Sequence, residues 1–337
     1  MVTTTDRKVR ILESRKKICA PAKLDDELCF YSPQDNVDAL EHPSVRDWLR
    51  FISRNYSPRT DRKLRNVLLL LPCTKTKPYP LSPEHLRINA HLIAAGYRPA
   101  NGASLAADFS AHLPAGFSPE VLSLGPLRKG RVILYRAVVS EPLVFVPYQY
   151  VFRNGNRPSP ACAYDDPGLF EARGNAVSPW RKDFSGIRIS PKKWRWGSEE
   201  RRAYVTMHNE MSKRLAQVIG RIRPNYSAVV AWVSPGLTHR SFILARDQRR
   251  SNGVAFARRV GDRNLPLQGA NDLLAPEDWI ECLPTVKQCE LAKRRLAKRL
   301  SRPVSAIGGY YSRGGGEATP LALPELLDFL VSRLDKI

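Results

Sequence analysis

The sequence has no stretch approaching the roughly 18 consecutive apolar residues of a membrane span, and its first 17 residues are polar and basic, without the apolar core of a secretory signal. A soluble, cytoplasmic protein is therefore expected. The six cysteines, at 19, 29, 73, 162, 282 and 289, include no Cys-x-x-Cys pair, which disfavours a disulfide framework and a structural zinc site. There is no Gly-x-x-x-x-Gly-Lys phosphate loop, no dinucleotide-type glycine pattern after a strand and no internal repeat. No cofactor and no metal are expected. Acidic residues are scarce as well: 32 Asp and Glu stand against 54 Lys and Arg, a net charge of +22. Solubility needs far less, so a polyanionic partner is the economical explanation, and nucleic acid is the usual one.

What is present describes a folded globular chain. Of 337 residues 43% are hydrophobic, with 11 Phe, 12 Tyr and 6 Trp, enough for one large domain or two smaller ones. Apolar runs with branched residues predict strands over 67–71, 121–124, 132–139, 143–146 and 226–233. Three- and four-residue spacing predicts helices over 44–54, with Ser44 as cap, and over 84–95, 199–222, 287–302 and 323–334. The expected class is α/β: a mostly parallel or mixed central sheet flanked by helices, carrying a long irregular basic and aromatic insertion at about 148–198. Residues 1–40 read as a basic arm with little regular structure that docks through Leu28, Phe30 and Tyr31. Residues 41–302 read as the catalytic body, and 303–337 as a glycine-linked helix packing on it. His91 reads as a structural or surface histidine, and His208 and Glu210, on other faces of their helix, as surface residues.

The densest chemistry follows the most hydrophobic run. Directly after 67–71 stand Pro72-Cys73-Thr74-Lys75-Thr76-Lys77-Pro78-Tyr79-Pro80-Leu81-Ser82-Pro83-Glu84-His85, a thiol, amines, a phenol, hydroxyls and an imidazole at a strand end, where open α/β sheets build their sites. If His85 opens the next helix, its ring sits near the loop that holds Cys73. A second polar loop, Ser234 to Arg240, follows 226–233. Were the two strands parallel neighbours, His239 and Arg240 would emerge on the same edge as Cys73.

The spacing Pro72-Cys73, three residues, Lys77-Pro78-Tyr79, two residues, Ser82, two residues, His85 resembles the signature of the archaeosine synthase core-domain family. The lead-in His42-Pro43-Ser44-Val45-Arg46-Asp47-Trp48-Leu49, then Tyr56-Ser57-Pro58, is similar too, and the resemblance covers about residues 42–92. It implies action on 7-cyano-7-deazaguanine already installed in nucleic acid. A standalone, highly basic member resembles what a bacterial DNA-modification cluster needs, which implies hydration of the nitrile in DNA to 7-amido-7-deazaguanine, with other proteins of that cluster as partners. Two alternatives are lysine addition to the same nitrile in tRNA and a non-catalytic DNA binder with a core related to the YaaA family. For the hydration, Cys73 is the candidate nucleophile, His85 the proton shuttle, and Lys77, Tyr79 and Ser82 the donors to developing charge. In an equally consistent scheme water attacks directly and Cys73 only lines the pocket.

For holding the polymer, basic and aromatic residues together suit unpaired nucleotides, because bases stack on rings while cations hold phosphates. The candidates are Lys192, Lys193, Trp194, Arg195 and Trp196, then His239 and Arg240, then Arg246, Arg249, Arg250, Arg258 and Arg259.

Overall fold

The structure is a computed structural model that describes all residues except 1–5, 102–106, 167, 170, 172, 173, 192, 237 and 315–318, together with the side chains of 107 and 108. Its centre is β1 (Arg65–Pro72). Val67 to Leu71 are all buried, which a continuous apolar run permits only where both sheet faces are covered. The sheet runs in the order β13 (Glu281–Leu283), β10 (Ala228–Trp232), β1, β4 (Val132–Ser140), β3 (Leu127–Lys129), β2 (Arg98–Pro99). The β13, β10, β1 and β4 neighbours pair in parallel, with Val67 beside Ala228 and Leu134. On its outer edge β4 pairs antiparallel with β3 at its start and with β5 (Val144–Pro147) at its end. The molecule is thus mixed α/β, as the sequence pattern predicts.

Two crossovers leave the middle of this sheet in opposite directions. From β1 the chain passes through α4 (Pro83–Ala94) to β4. From β4 it returns through α5 (Ser198–Ile222) to β10 on the other side of β1. It then moves outward through α6 (Thr238–Ser241) and α7 (Arg246–Ser251) to β13. Because such connections are right-handed, opposite directions put α4 and α5 on opposite faces. The connection after β1 goes one way and that after β10 the other, so the carboxyl ends of these adjacent strands define the topological switch point.

The remaining elements cover these layers. On the α4 side, α10 (Pro324–Leu334) packs against α4 and α8 (Val286–Arg299), with His91 Nε2 3.1 Å from Asp328 Oδ1. The glycine link before it contains a short helix, α9 (Gly308–Ser312). The irregular region holds two small hairpins, β6–β7 (Arg153–Asn154 and Arg157–Pro158) and β8–β9 (Ile187–Ser190 and Lys193–Arg195), and a third follows α7, β11–β12 (Ala257–Val260 and Arg263–Pro266). Among the described residues no helix is long and apolar enough to cross a membrane.

Four expectations are corrected. The arm is helical, with α1 (Arg7–Arg15) and α2 (Pro33–Asp38). Tertiary bonds impose this: Arg10 Nη1 donates to Val177 O at 2.5 Å, and Ser14 Oγ to Asp165 Oδ2 at 2.7 Å. Leu28, Phe30 and Tyr31 are buried beside them. Residues 121–124 form no strand; a 3-10 turn, Pro119–Leu122, capped by Ser118, buries Val121 and Leu122. Helix α3 (Pro43–Arg50) is capped by His42, whose Nδ1 accepts from Ser44 N at 3.3 Å, leaving Pro43 in the first turn where its missing N–H costs nothing. His208 is fully buried, against the ring of Phe242.

Candidate active site

Cys73 extends the central strand by one residue. Its N–H donates to Val139 O at 3.0 Å, so the thiol is fixed by the same ladder that joins β1 to β4. From the other side of the switch point α6 delivers His239. The two meet: Cys73 Sγ lies 3.2 Å from His239 Nε2. Parallel pairing of β1 with β10 thus puts His239 on the edge that carries Cys73, as the sequence reading required. The imidazole packs edge-on against Phe242, and its Nδ1 has no hydrogen-bond partner among the described residues. Burial lowers His239 to about 4. Burial, reinforced by Asp166 and opposed by Lys77, pushes the Cys73 thiol well above its ordinary value. At neutral pH the resting pair is therefore a neutral thiol on a neutral imidazole, the arrangement of a nucleophile with its base.

A polar cage surrounds the thiol. Lys77 is buried; its Nζ donates to Thr74 O at 2.6 Å and lies 4.3 Å from the ring centre of Tyr164. The Tyr79 hydroxyl donates to Ser140 Oγ at 3.0 Å and lies 2.7 Å from the Tyr164 hydroxyl. Both phenols are raised far above their ordinary value by burial, so they stay protonated donors. Asp166 accepts from Gly168 N at 2.7 Å. Its carboxyl is pushed up by burial while Lys77 pulls it down. Glu141, held up by burial and then by the charge of Asp166, favours its protonated form, and its Oε1 has no hydrogen-bond partner among the described residues. Two carboxyls, an ammonium and two phenols thus lie within electrostatic reach of one thiol. Among the described residues no group of His, Cys, Asp and Glu is arranged to hold a metal ion.

The rest of the signature stretch supports this loop from behind. His85 Nε2 meets Pro72 O at 2.9 Å and Nδ1 meets the Tyr148 hydroxyl at 2.7 Å. A carbonyl can only accept, so Nε2 carries the proton and Nδ1 accepts from Tyr148. Burial lowers this histidine to about 4, and with both nitrogens taken it has none to offer Cys73. Ser82 caps α4, its Oγ accepting from His85 N at 3.2 Å. Cys73, Lys77 and Tyr79 are therefore brought together, while His85 and Ser82 position them.

The candidate nucleic-acid residues divide sharply. Arg240 is buried and donates to Pro284 O at 2.9 Å and Cys282 O at 3.0 Å. Arg249 is buried and donates to Leu244 O, Ala255 O and Ser241 O. Trp196 is buried, its indole donating to Ala176 O at 2.8 Å. These three are braces without a free face. Trp194 is half-buried, edge-on to Phe184. Arg258 is half-buried and lies 3.5 Å from Glu171. Lys193, Arg195, Arg246, Arg250 and Arg259 are exposed, and Lys192 lies outside the described residues.

Glu141, Tyr164 and Asp166 were not singled out by sequence. Glu141 stands in a Glu-Pro pair that reads as punctuation. Asp165-Asp166 did carry a signal, as an acidic pair inside a basic stretch.

Fold and site together define a mixed α/β protein with a thiol–imidazole pair at its switch point. No family model, no curated protein and no solved structure matches the chain.

Proposed function

We propose that this chain hydrates the nitrile of 7-cyano-7-deazaguanine in DNA to the carboxamide. The observation that carries the proposal is the 3.2 Å approach of Cys73 Sγ to His239 Nε2. A nitrile carbon is electrophilic, and a thiol beside a base adds to it. The resemblance of residues 42–92 to the archaeosine synthase core supports the substrate, and the net charge of +22 supports the polymer.

The proton from Cys73 passes to His239 as the carbon–sulfur bond forms, and the nitrile nitrogen takes it up, giving a thioimidate. Water then adds to the same carbon, His239 taking one of its protons and passing it to the nitrogen. As the carbonyl forms the carbon–sulfur bond breaks, the remaining hydroxyl proton passes through His239 to the sulfur, and the amide is released, so one water has been added across the carbon–nitrogen triple bond. Lys77 and protonated Glu141 are the donors available to charge developing on nitrogen, while Tyr79, its proton given to Ser140, holds the cage.

The test incubates the folded protein with cyano-modified DNA and weighs the released nucleosides. A gain equal to one water supports hydration. A lysine-dependent product on modified tRNA, with none on DNA, points to amine addition instead. No turnover on either polymer, with DNA binding retained, leaves a non-catalytic binder and overturns the proposal.

A further inference from the structure

A cleft of about 200 Å³ is lined among others by Leu169, Glu171, Tyr204, Thr238, Ser241 and Arg258. Thr238 directly precedes His239 in the chain, and Glu141 acts electrostatically on the Tyr204 phenol, so one wall of the cleft adjoins the cage around Cys73. We propose that this cleft seats a single nucleobase and that Glu171 reads its edge as guanine-like. The inference rests on the reading above, in which the substrate is a base within nucleic acid.

Glu171 carries the chemistry. Its Oε1 accepts two bonds from Arg201, from Nε at 3.0 Å and Nη2 at 2.7 Å. Among the described residues its Oε2 has only the longer approach of Arg258 Nη1 at 3.5 Å, which leaves lone pairs for other donors. Two guanidiniums already balance this carboxylate, so a further cation gains little there. A neutral edge with adjacent N–H groups gains two charge-assisted bonds. Guanine and its 7-deaza relatives present such an edge, at N1 and the 2-amino group; adenine presents an acceptor at N1. Leu169, Pro235, Val254 and Leu267 supply apolar walls for a flat ring.

The basic hairpins are tied to this same wall. Arg258, on β11, approaches Glu171, and exposed Arg259 and Arg263 follow on that hairpin. On the other side Gly174 N donates to Glu171 O at 3.0 Å, and Trp194 N of β9 donates to Gly174 O at 2.9 Å, which places exposed Lys193 and Arg195 on the neighbouring hairpin. A base in the cleft would have its phosphates between two basic ribbons, as a nucleotide within a polymer requires.

The test uses the Cys73→Ser protein, which binds without turning over, and measures calorimetric binding of guanosine, adenosine and 1-methylguanosine. Guanosine is expected to bind about 10- to 100-fold more tightly than either rival. Glu171→Gln in the same background should bring the three within a few-fold. Equal affinities in Cys73→Ser, or a preference that survives in folded Glu171→Gln, overturns the inference. Should Glu171→Gln not fold, 1-methylguanosine decides alone, since it lacks the N1 proton and leaves the protein intact; binding equal to guanosine sinks the idea. Amide formation on DNA without a guanosine preference would remove this pocket and keep the hydration, and the preference without amide formation would do the reverse.

Discussion

His85 and His239 have the same side chain, the same burial-lowered basicity and opposite roles. His85 stands twelve positions beyond Cys73 in one crowded stretch, yet both its nitrogens are tied to Pro72 and Tyr148. His239 is 166 positions away and touches the thiol. Closeness in sequence put His85 behind the loop as a strut. Closeness in topology, through parallel neighbours with divergent connections, put His239 in front of it. A histidine near a cysteine in the chain is therefore a weaker sign of a catalytic pair than a histidine after the adjacent parallel strand.

The contrast can be broken most forcefully at the reacting end. Replacing His239 by Gln should cut amide formation by about 10²–10⁴ while circular dichroism and the denaturation midpoint change little. His85→Leu should do the reverse. It strands the Pro72 carbonyl and the Tyr148 hydroxyl, so urea unfolding should show a loss of about 2–4 kcal/mol, with turnover reduced only as far as the folded fraction falls. If His85→Leu abolishes turnover in fully folded protein and His239→Gln does not, the two roles have been exchanged.

Acidity sharpens the contrast further. In the proposed hydration His239 acts as a base only while neutral, so the rate should hold steady down to pH 5 and fall near pH 4, where this imidazole takes up a proton. An inflection near the ordinary histidine value of 6.5 would deny His239 the role of base.

A neighbour of His85 gives a stability signature instead. Burial pushes the Glu84 carboxyl from 4.5 up to about 7, against a hydrogen bond from Thr319 that lowers it. Its folded value lies above the unfolded one, so between those pH values the folded chain keeps a proton that the unfolded chain has released. Glu84 therefore favours folding below pH 4.5, and this preference is lost as pH rises through 7. Glu84→Gln should flatten that slope and raise stability at pH 8, by on the order of 3 kcal/mol relative to wild type, as chemical denaturation at pH 5 and pH 8 would measure. The smallest effect belongs to the exposed arginines. Arg259→Ala should leave unfolding unchanged and lower the salt dependence of DNA binding by about one unit of slope, whereas truncating buried Arg249 should act on stability.

How much of this was legible follows from what each signal encodes. The run 67–71, the apolar stripe of α5 and the strand at 226–233 were readable because burial on a fixed period leaves its trace in residue type. The meeting of Cys73 with the loop after β10 followed from strand adjacency. Helix α1 was not readable, because Asp165 and Val177 hold it from far along the chain. The roles of Arg240 and Arg249 were hidden for a different reason: a guanidinium counts as positive charge in the sequence whether it faces solvent or donates to carbonyls inside the fold. Glu141 and Asp166 escaped because a carboxyl's function here depends on which other carboxyl lies opposite.

The contact across 166 positions also sets when the site exists. Strand pairings of long sequence separation are slow to form, because loop closure must precede the contacts that reward it. A chain that has joined β1 to β4 but not yet docked β10 carries a Cys73 without its histidine and without the burial that suppresses its thiolate. The rate at which Cys73 loses its reactivity toward an alkylating reagent during refolding, followed by peptide mass, therefore times the arrival of β10. The thiol becomes chemically quiet at the step that brings its imidazole.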